Sequence, residues 1–144
     1  MPPQSAYAKP LPQPTALTKP FWAHCRQHEL WLQCCLDCGK YRFYPTASCP
    51  FCASEDTECR RVSGRGSIYS WIVVHRAIDP AWEDAVPFTV AVVELAEQPH
   101  LLVPGILTTA SGTPVAAAAG MPVEVWFDDV TPEIALPRWR ATTE

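Results

Sequence analysis

Two Cys-x-x-Cys knuckles, Cys35-x-x-Cys38 and Cys49-x-x-Cys52, constrain this chain more than any other feature. Each is a short loop able to turn two thiolates toward one ion. Ten residues separate them, the length of a tight two-stranded ribbon carrying both loops. Four thiolates suit zinc, and a site closed by four protein ligands leaves no position for water or substrate, so the metal is read as structural. Iron in a rubredoxin-like redox centre takes the same four-sulfur tetrahedron, and spacing alone does not separate the two. A disulfide framework fits less well. Seven cysteines is an odd count, and the first residues show neither an apolar signal core nor an Arg-rich transit pattern. Cysteines kept reduced for a metal lead to the expectation of a cytoplasmic protein.

A chain of 144 residues makes one ordinary domain or two small ones sharing an interface. Its formal charge is −4. Four bound thiolates and one zinc would take it to about −6. That balance argues against a general nucleic-acid binder, which needs a basic stripe to displace counterions. No apolar run approaches the roughly 20 residues that span a bilayer, so no membrane role is expected.

Residues 1–19 are proline-rich and poor in aliphatic side chains, and read as a flexible arm or partner-seeking tail. Residues 20–61 read as a short helix and the ribbon. Thr18 is placed to cap that helix, with Pro20 in its first turn and Phe21, Cys25 and His28 on one face. Leu30, Leu32 and Cys34 then alternate with Trp31, Gln33 and Cys35 as a strand into the first knuckle, where Gly39 supplies a permissive backbone. Residues 41–44 form the returning strand, ended by Pro45.

Residues 62–140 are β-rich. Strands are predicted over 67–75, 88–95, 101–107, 123–127 and 134–139, with an irregular excursion at 79–86 and a hairpin connection at 96–99. Thr113-Pro114, an alanine run and Gly120 carry the start and stop signals of a short helix. About five strands with one helix before the fourth fit a small Greek-key barrel of the OB type, in a mainly β chain, and a different small barrel or an open sandwich would give much the same pattern.

Several passages taken together resemble the zinc-ribbon/OB-fold family of acyl-CoA-associated proteins, long catalogued as domain of unknown function 35. In the ribbon these are Leu32-Gln33-Cys34-Cys35-Leu36-Asp37-Cys38-Gly39, Arg42-Phe43-Tyr44-Pro45 and Cys49-Pro50-Phe51-Cys52. In the barrel they are Val62-Ser63-Gly64-Arg65-Gly66-Ser67-Ile68-Tyr69-Ser70-Trp71 running on to Val73-Val74-His75-Arg76, then Gly120-Met121-Pro122-Val123-Glu124-Val125 and Leu136-Pro137-Arg138-Trp139. The resemblance covers residues 20–140 in order and implies an N-terminal helix, a rubredoxin-like zinc ribbon and a C-terminal OB barrel. It also implies a non-catalytic accessory subunit of a hetero-oligomer, working beside a thiolase-fold enzyme on CoA thioesters. Relatives partner thiolase-like aldolases that shorten steroid side chains, thiolase/synthase complexes, and acyl-CoA hydratases. Two features depart from the pattern. Cys34 stands where a basic residue is common and would offer an off-register ligand, and the proline-rich tail lies outside the match.

No catalytic constellation stands out. His24 and His28 are four apart, as for a shared ligand, but read more simply as packed or exposed histidines. His75 reads as a hydrogen-bonded strand-end residue or a partner contact. Cys25, Cys34 and Cys59 lack a sequence-local base and read as spare thiols. Arg42, Arg65 and Arg76 are candidates for the phosphates of CoA, because guanidinium groups hold phosphate in a fixed fork. Phe43, Trp71 and His75 join them as CoA or partner-contact candidates. Phe21, Trp22, Trp31, Phe43, Tyr44 and Trp71 are many aromatics for a small core, and those left outside it would mark an interface. Two other classes stay open on the residues alone. One is a single-stranded nucleic-acid module, since zinc ribbons and OB barrels both serve there. The other is an iron electron carrier.

Overall fold

A computed structural model describes residues 7–109 and 115–142. In chain order it contains helix α1 (Lys19–Arg26), then strands β1 (Trp31–Cys35), β2 (Tyr41–Arg42) and β3 (Thr57–Arg61). Strands β4 (Arg65–Val74), β5 (Phe88–Leu95), β6 (Leu102–Leu107), β7 (Pro122–Asp129) and β8 (Ala135–Ala141) follow. β1 lies between β2 and β3 in an antiparallel sheet, and β4 to β8 close a barrel in the order β4-β5-β6-β8-β7. Only β6 and β8 run parallel, touching through Leu107 and Trp139. This is the expected OB-like barrel behind a helix and a ribbon.

The barrel forms where alternation is cleanest. Along β5 every second residue is buried: Thr89, Ala91, Val93 and Leu95. Ala91, Val93 and Leu95 meet Ile68, Val103, Leu107, Val123 and Trp139 in a core continuous with Phe21 and Cys25 of α1, Leu30 and Leu32 of the ribbon, and Val62 between the two sheets. Removing this apolar surface from water is the main favourable term. Backbone and side-chain bonds reinforce the junction. Val62 N–H donates to Leu30 O at 2.9 Å. Gln98, from the β5–β6 turn, accepts from Tyr41 N–H at 2.9 Å and donates to Tyr41 O at 3.0 Å, standing in for a strand beside β2.

Several local expectations change. Thr18 does not cap α1 through its side chain; its hydroxyl instead accepts from Thr15 N–H at 2.9 Å. The helix ends at Arg26. His28 takes a left-handed φ of 60°, and Glu29 N–H closes onto His24 O at 3.1 Å, a left-handed C-terminal cap. His28 therefore leaves the face shared by Phe21 and Cys25. It stacks on Phe127, with ring centroids 5.6 Å apart, and its Nε2 lies 2.9 Å from Asp129. In β1, Gln33 and Cys35 are buried along with Leu32 and Cys34, because a strand on each side and both knuckles enclose the middle of the ribbon.

The returning strand β2 has two residues rather than four. Gln33 Oε1 accepts from Arg42 Nε at 2.9 Å and from Thr46 N–H at 2.8 Å, which draws the chain out of the ladder after Arg42. The third ribbon strand, β3, pairs with β1 over five residues and was not foreseen. The helix expected after Thr113-Pro114 begins outside the described residues. Its described part is not helical: residues 115–118 are irregular and residues 119–120 form a turn. Gly120 N–H donates to Ile68 O at 2.8 Å and Ile68 N–H to Met121 O at 3.0 Å, so this segment satisfies its backbone against β4. The irregular excursion between β4 and β5 contains one 3-10 turn, Pro80–Trp82, capped by Asp79.

Packing accounts for Gly66. A Cβ there would sit 2.2 Å from Glu94 O and 2.8 Å from a Val93 methyl, where β4 crosses between β5 and β7. Gly66→Ala is expected to force the β4–β5 pair apart at a cost of roughly 1–3 kcal/mol. Thermal unfolding of the metal-loaded protein should show a midpoint lower by several degrees. An unchanged midpoint would mean that the β4–β5 pair takes up a methyl group at this position without cost.

Candidate metal centre and surrounding surface

The four knuckle cysteines converge. Their Sγ atoms all lie within 4.8 Å of one another, with Cys35 to Cys52 at 3.6 Å and Cys38 to Cys49 at 3.7 Å. A tetrahedron with Zn–S bonds of about 2.3 Å has sulfur–sulfur edges of about 3.8 Å. The donor set therefore fits a tetrahedral thiophilic ion without rearrangement.

The two knuckles are built alike. Gly39 N–H donates to Cys35 O at 3.0 Å, and Ala53 N–H to Cys49 O at 2.9 Å. Both residues after the second cysteine are left-handed, Gly39 at φ 75° and Ala53 at φ 65°. Cys38 N–H donates to Cys35 Sγ and Phe51 N–H to Cys49 Sγ, each at 3.4 Å. Chiefly through the Cys38 amide, the Cys35 thiol is drawn down to about 6. Cys52, although the Ser54 amide favours its thiolate, is pushed up to about 12, with Cys35 the main opposing group. Thiols this close cannot all ionise without a cation among them. The amides prepare the site for charge, and an ion completes it.

Gln33 and Arg42 hold the stem. Arg42 is 4% exposed. Besides its bond to Gln33, its Nη2 donates to Thr46 O at 3.2 Å, fixing the chain three residues before Cys49. Neither residue is a ligand, and the signal for Gln33 was a polar side chain inside an apolar strand. Cys34 stays outside the sulfur cluster. It is fully buried, with its Sγ 3.5 Å from Gly39 O. Cys25 is a core thiol pushed up to about 12 by burial, and Cys59 is exposed on β3.

The remaining candidates do not gather at one place. Phe43 packs with Phe21, centroids 5.6 Å apart, in an aromatic knot that includes Trp22 and Tyr44. His24 stacks on Trp31 at 4.3 Å, while His28 faces Phe127 and Asp129. Arg65 edges a shallow groove beside Glu94 and Gln98. Trp71, His75 and Arg76 lie exposed along and just past the outer half of β4. His75 makes no side-chain hydrogen bond among the described residues, unlike the strand-end reading. A cleft of about 580 Å³ opens elsewhere, between Trp82, Phe88 and Thr89 on one side and Trp126 and Arg138 on the other. Lys9 of the proline-rich segment reaches its rim, bonding Asp84 at 3.0 Å. No sequence motif marks this cleft, because its walls come from four separate strands and a turn.

Loss of any one of Cys35, Cys38, Cys49 or Cys52 to serine is expected to abolish stoichiometric metal and to unfold the ribbon, because binding and folding are coupled. Cys25→Ser and Cys59→Ser should retain one metal per chain. Elemental analysis and far-UV circular dichroism, before and after chelator, provide the check. Equal metal loss in both groups would show that the ligands lie elsewhere.

Residues 22–58 match the family model described as the ChsH2 rubredoxin-like zinc ribbon domain, and residues 60–128 that of the ChsH2 C-terminal OB-fold domain. A Thermomonospora curvata protein described as a probable enoyl-CoA hydratase alpha subunit is 35% identical over 121 residues, covering 83% of this chain and 36% of that protein. The chain thus spans little more than a third of that relative's length. The solved structure of an Ltp2-ChsH2(DUF35) aldolase superimposes with a TM-score of 0.78 at 31% identity, over 92% of this chain and 100% of the matched one. A DUF35 protein of Sulfolobus solfataricus shares the fold, with a TM-score of 0.58 at 10% identity over 88% of this chain and 86% of that one. On its ribbon, its barrel and these matches, the chain belongs to the ChsH2 (DUF35) family of zinc-ribbon and OB-fold proteins.

Proposed function

We propose that this chain is a non-catalytic, zinc-bearing accessory subunit of an enzyme complex that acts on CoA thioesters. The partner in this reading is a thiolase-like aldolase or thiolase, which supplies the nucleophile and the acid–base groups for making or breaking a carbon–carbon bond beside the thioester. One observation carries the reading: similarity, over the whole of the matched chain, to the ChsH2(DUF35) component of an aldolase that pairs it with Ltp2. Zinc, held by Cys35, Cys38, Cys49 and Cys52, would have a structural role, since the four sulfurs fill its coordination sphere. Arg65, Trp71, His75 and Arg76 are exposed and are the proposed contacts to partner or CoA. Arg42, engaged inside the ribbon, would act by holding the knuckles. Cytoplasmic residence accords with reduced cysteines, and no helix among the described residues is long and apolar enough to cross a membrane.

The test is affinity purification of the tagged chain from its own organism, followed by assay of the recovered enzyme. An enzyme active on CoA thioesters should be recovered in stoichiometric amount. Both retro-aldol cleavage and enoyl-CoA hydration should be assayed, given the name of the Thermomonospora curvata relative. Produced without this chain, the enzyme is expected to lose at least tenfold in soluble activity. An enzyme equally stable and active alone would defeat the accessory reading.

A further inference from the structure

The outer half of β4 is the strongest anomaly in the molecule. β7 pairs with β4 only at Arg65, Gly66 and Ser67, whereas β5 follows it to Val74. Beyond Ile68 one edge of β4 therefore has no strand beside it among the described residues. Side chains there are exposed on both faces: Tyr69 53%, Trp71 38%, Ile72 62% and Val73 44%, with Ile78 beyond at 96%. Natural sheets guard such edges with lysine, proline or inward charge. From Gly66 to Val74 this strand has no charged residue and no proline.

We infer that this ribbon is the strand by which the chain docks into an apolar groove of its enzyme partner, an inference that rests on the accessory-subunit reading. The occupant's chemistry follows from the exposed surface. It must offer an extended backbone to the free edge and apolar walls to both faces. Edge-to-edge pairing with a second copy would satisfy the backbone but leave Trp71, Ile72 and Val73 of both chains in water, so a groove in a different protein fits better. Arg65 and Arg76 bracket the uncharged stretch, and neither is in an ion pair among the described residues. At about 3.3 Å per residue they stand on the order of 35 Å apart along an extended chain. The groove is expected to carry carboxylates at its two ends.

The experiment uses the tagged full-length chain in its own organism, with a benzophenone amino acid in place of Ile72 or, as control, of Glu133 on the exposed β7–β8 turn. Light should crosslink position 72, and not position 133, to the same CoA-thioester enzyme that co-purifies with the unmodified chain. In parallel, Ile72→Glu and Ile78→Glu should each lower recovery of that enzyme at least tenfold, with metal content and unfolding midpoint unchanged. Ile78 is almost wholly exposed, so its variant has little packing to lose even if Ile72→Glu folds poorly. Recovery of the enzyme without a crosslink at position 72, or undiminished in both glutamate variants, overturns this surface and leaves the accessory reading intact. A crosslinked species of twice the 16.0 kDa chain mass makes a second copy the occupant and overturns the inference. Failure of the unmodified chain to recover any such enzyme removes the accessory reading, and this inference with it.

Discussion

Four sulfur atoms held close together are the constraint on which the ribbon depends. Between Leu36 and Asp56 only Arg42 and Cys49 are buried, so the knuckles have almost no apolar core of their own. Burial cannot hold so small a unit, and units of this size rely on a metal or crosslink. The backbone amides at Cys35 and Cys49 favour thiolates, and the crowding of four sulfurs opposes them. Only an ion between them relieves both conditions. The same geometry explains why Gln33 and Arg42 are interior polar residues: they fix the connection that brings the second knuckle to the first.

The barrel has the opposite economy. Its core is apolar and alternating, and it extends under α1 and β1 rather than stopping at a boundary. Leu30, Leu32 and Val62 make the ribbon stem part of that core, and Gln98 adds the hydrogen bonds of a strand to Tyr41. Metal loss is thus expected to unfold the ribbon from the knuckle tips inward, while the barrel keeps its own apolar core. Two modules joined this way share one core but rest on different forces.

The sequence was most legible where one residue type had one use. Cysteine spacing identified the four sulfurs that converge, because short knuckles fix their geometry locally. Runs rich in β-branched and aromatic residues between turn signals located the barrel strands, and along β5 burial then alternates residue by residue. Legibility failed where a distant partner decided the outcome. The alanine run carried helix signals, yet residues 115–118 are irregular and the chain just after them, at Gly120 and Met121, bonds Ile68 of β4. β3 carries charged and polar residues and became a strand because β1 offered it an edge. Thr18 and His28 sat at helix-compatible spacing, but Thr15 and Asp129 captured them. Arg42 read as a candidate for phosphate but is buried, bonded to Gln33 across the ladder and to Thr46 O.

β4 shows what local reading and fold cannot supply separately. From Gly66 to Val74 its sequence is uncharged and largely apolar, as in a central strand, while among the described residues its outer half lies at an edge with both faces exposed. A strand made for enclosure but left unenclosed is a liability in isolation, because such edges recruit other strands. In a chain of net charge −4 the arginines at either end of this stretch give any encounter a direction. The two modules thus differ in what completes them: the knuckles carry all four ligands for an ion, whereas no strand among the described residues lies beside the outer edge of β4.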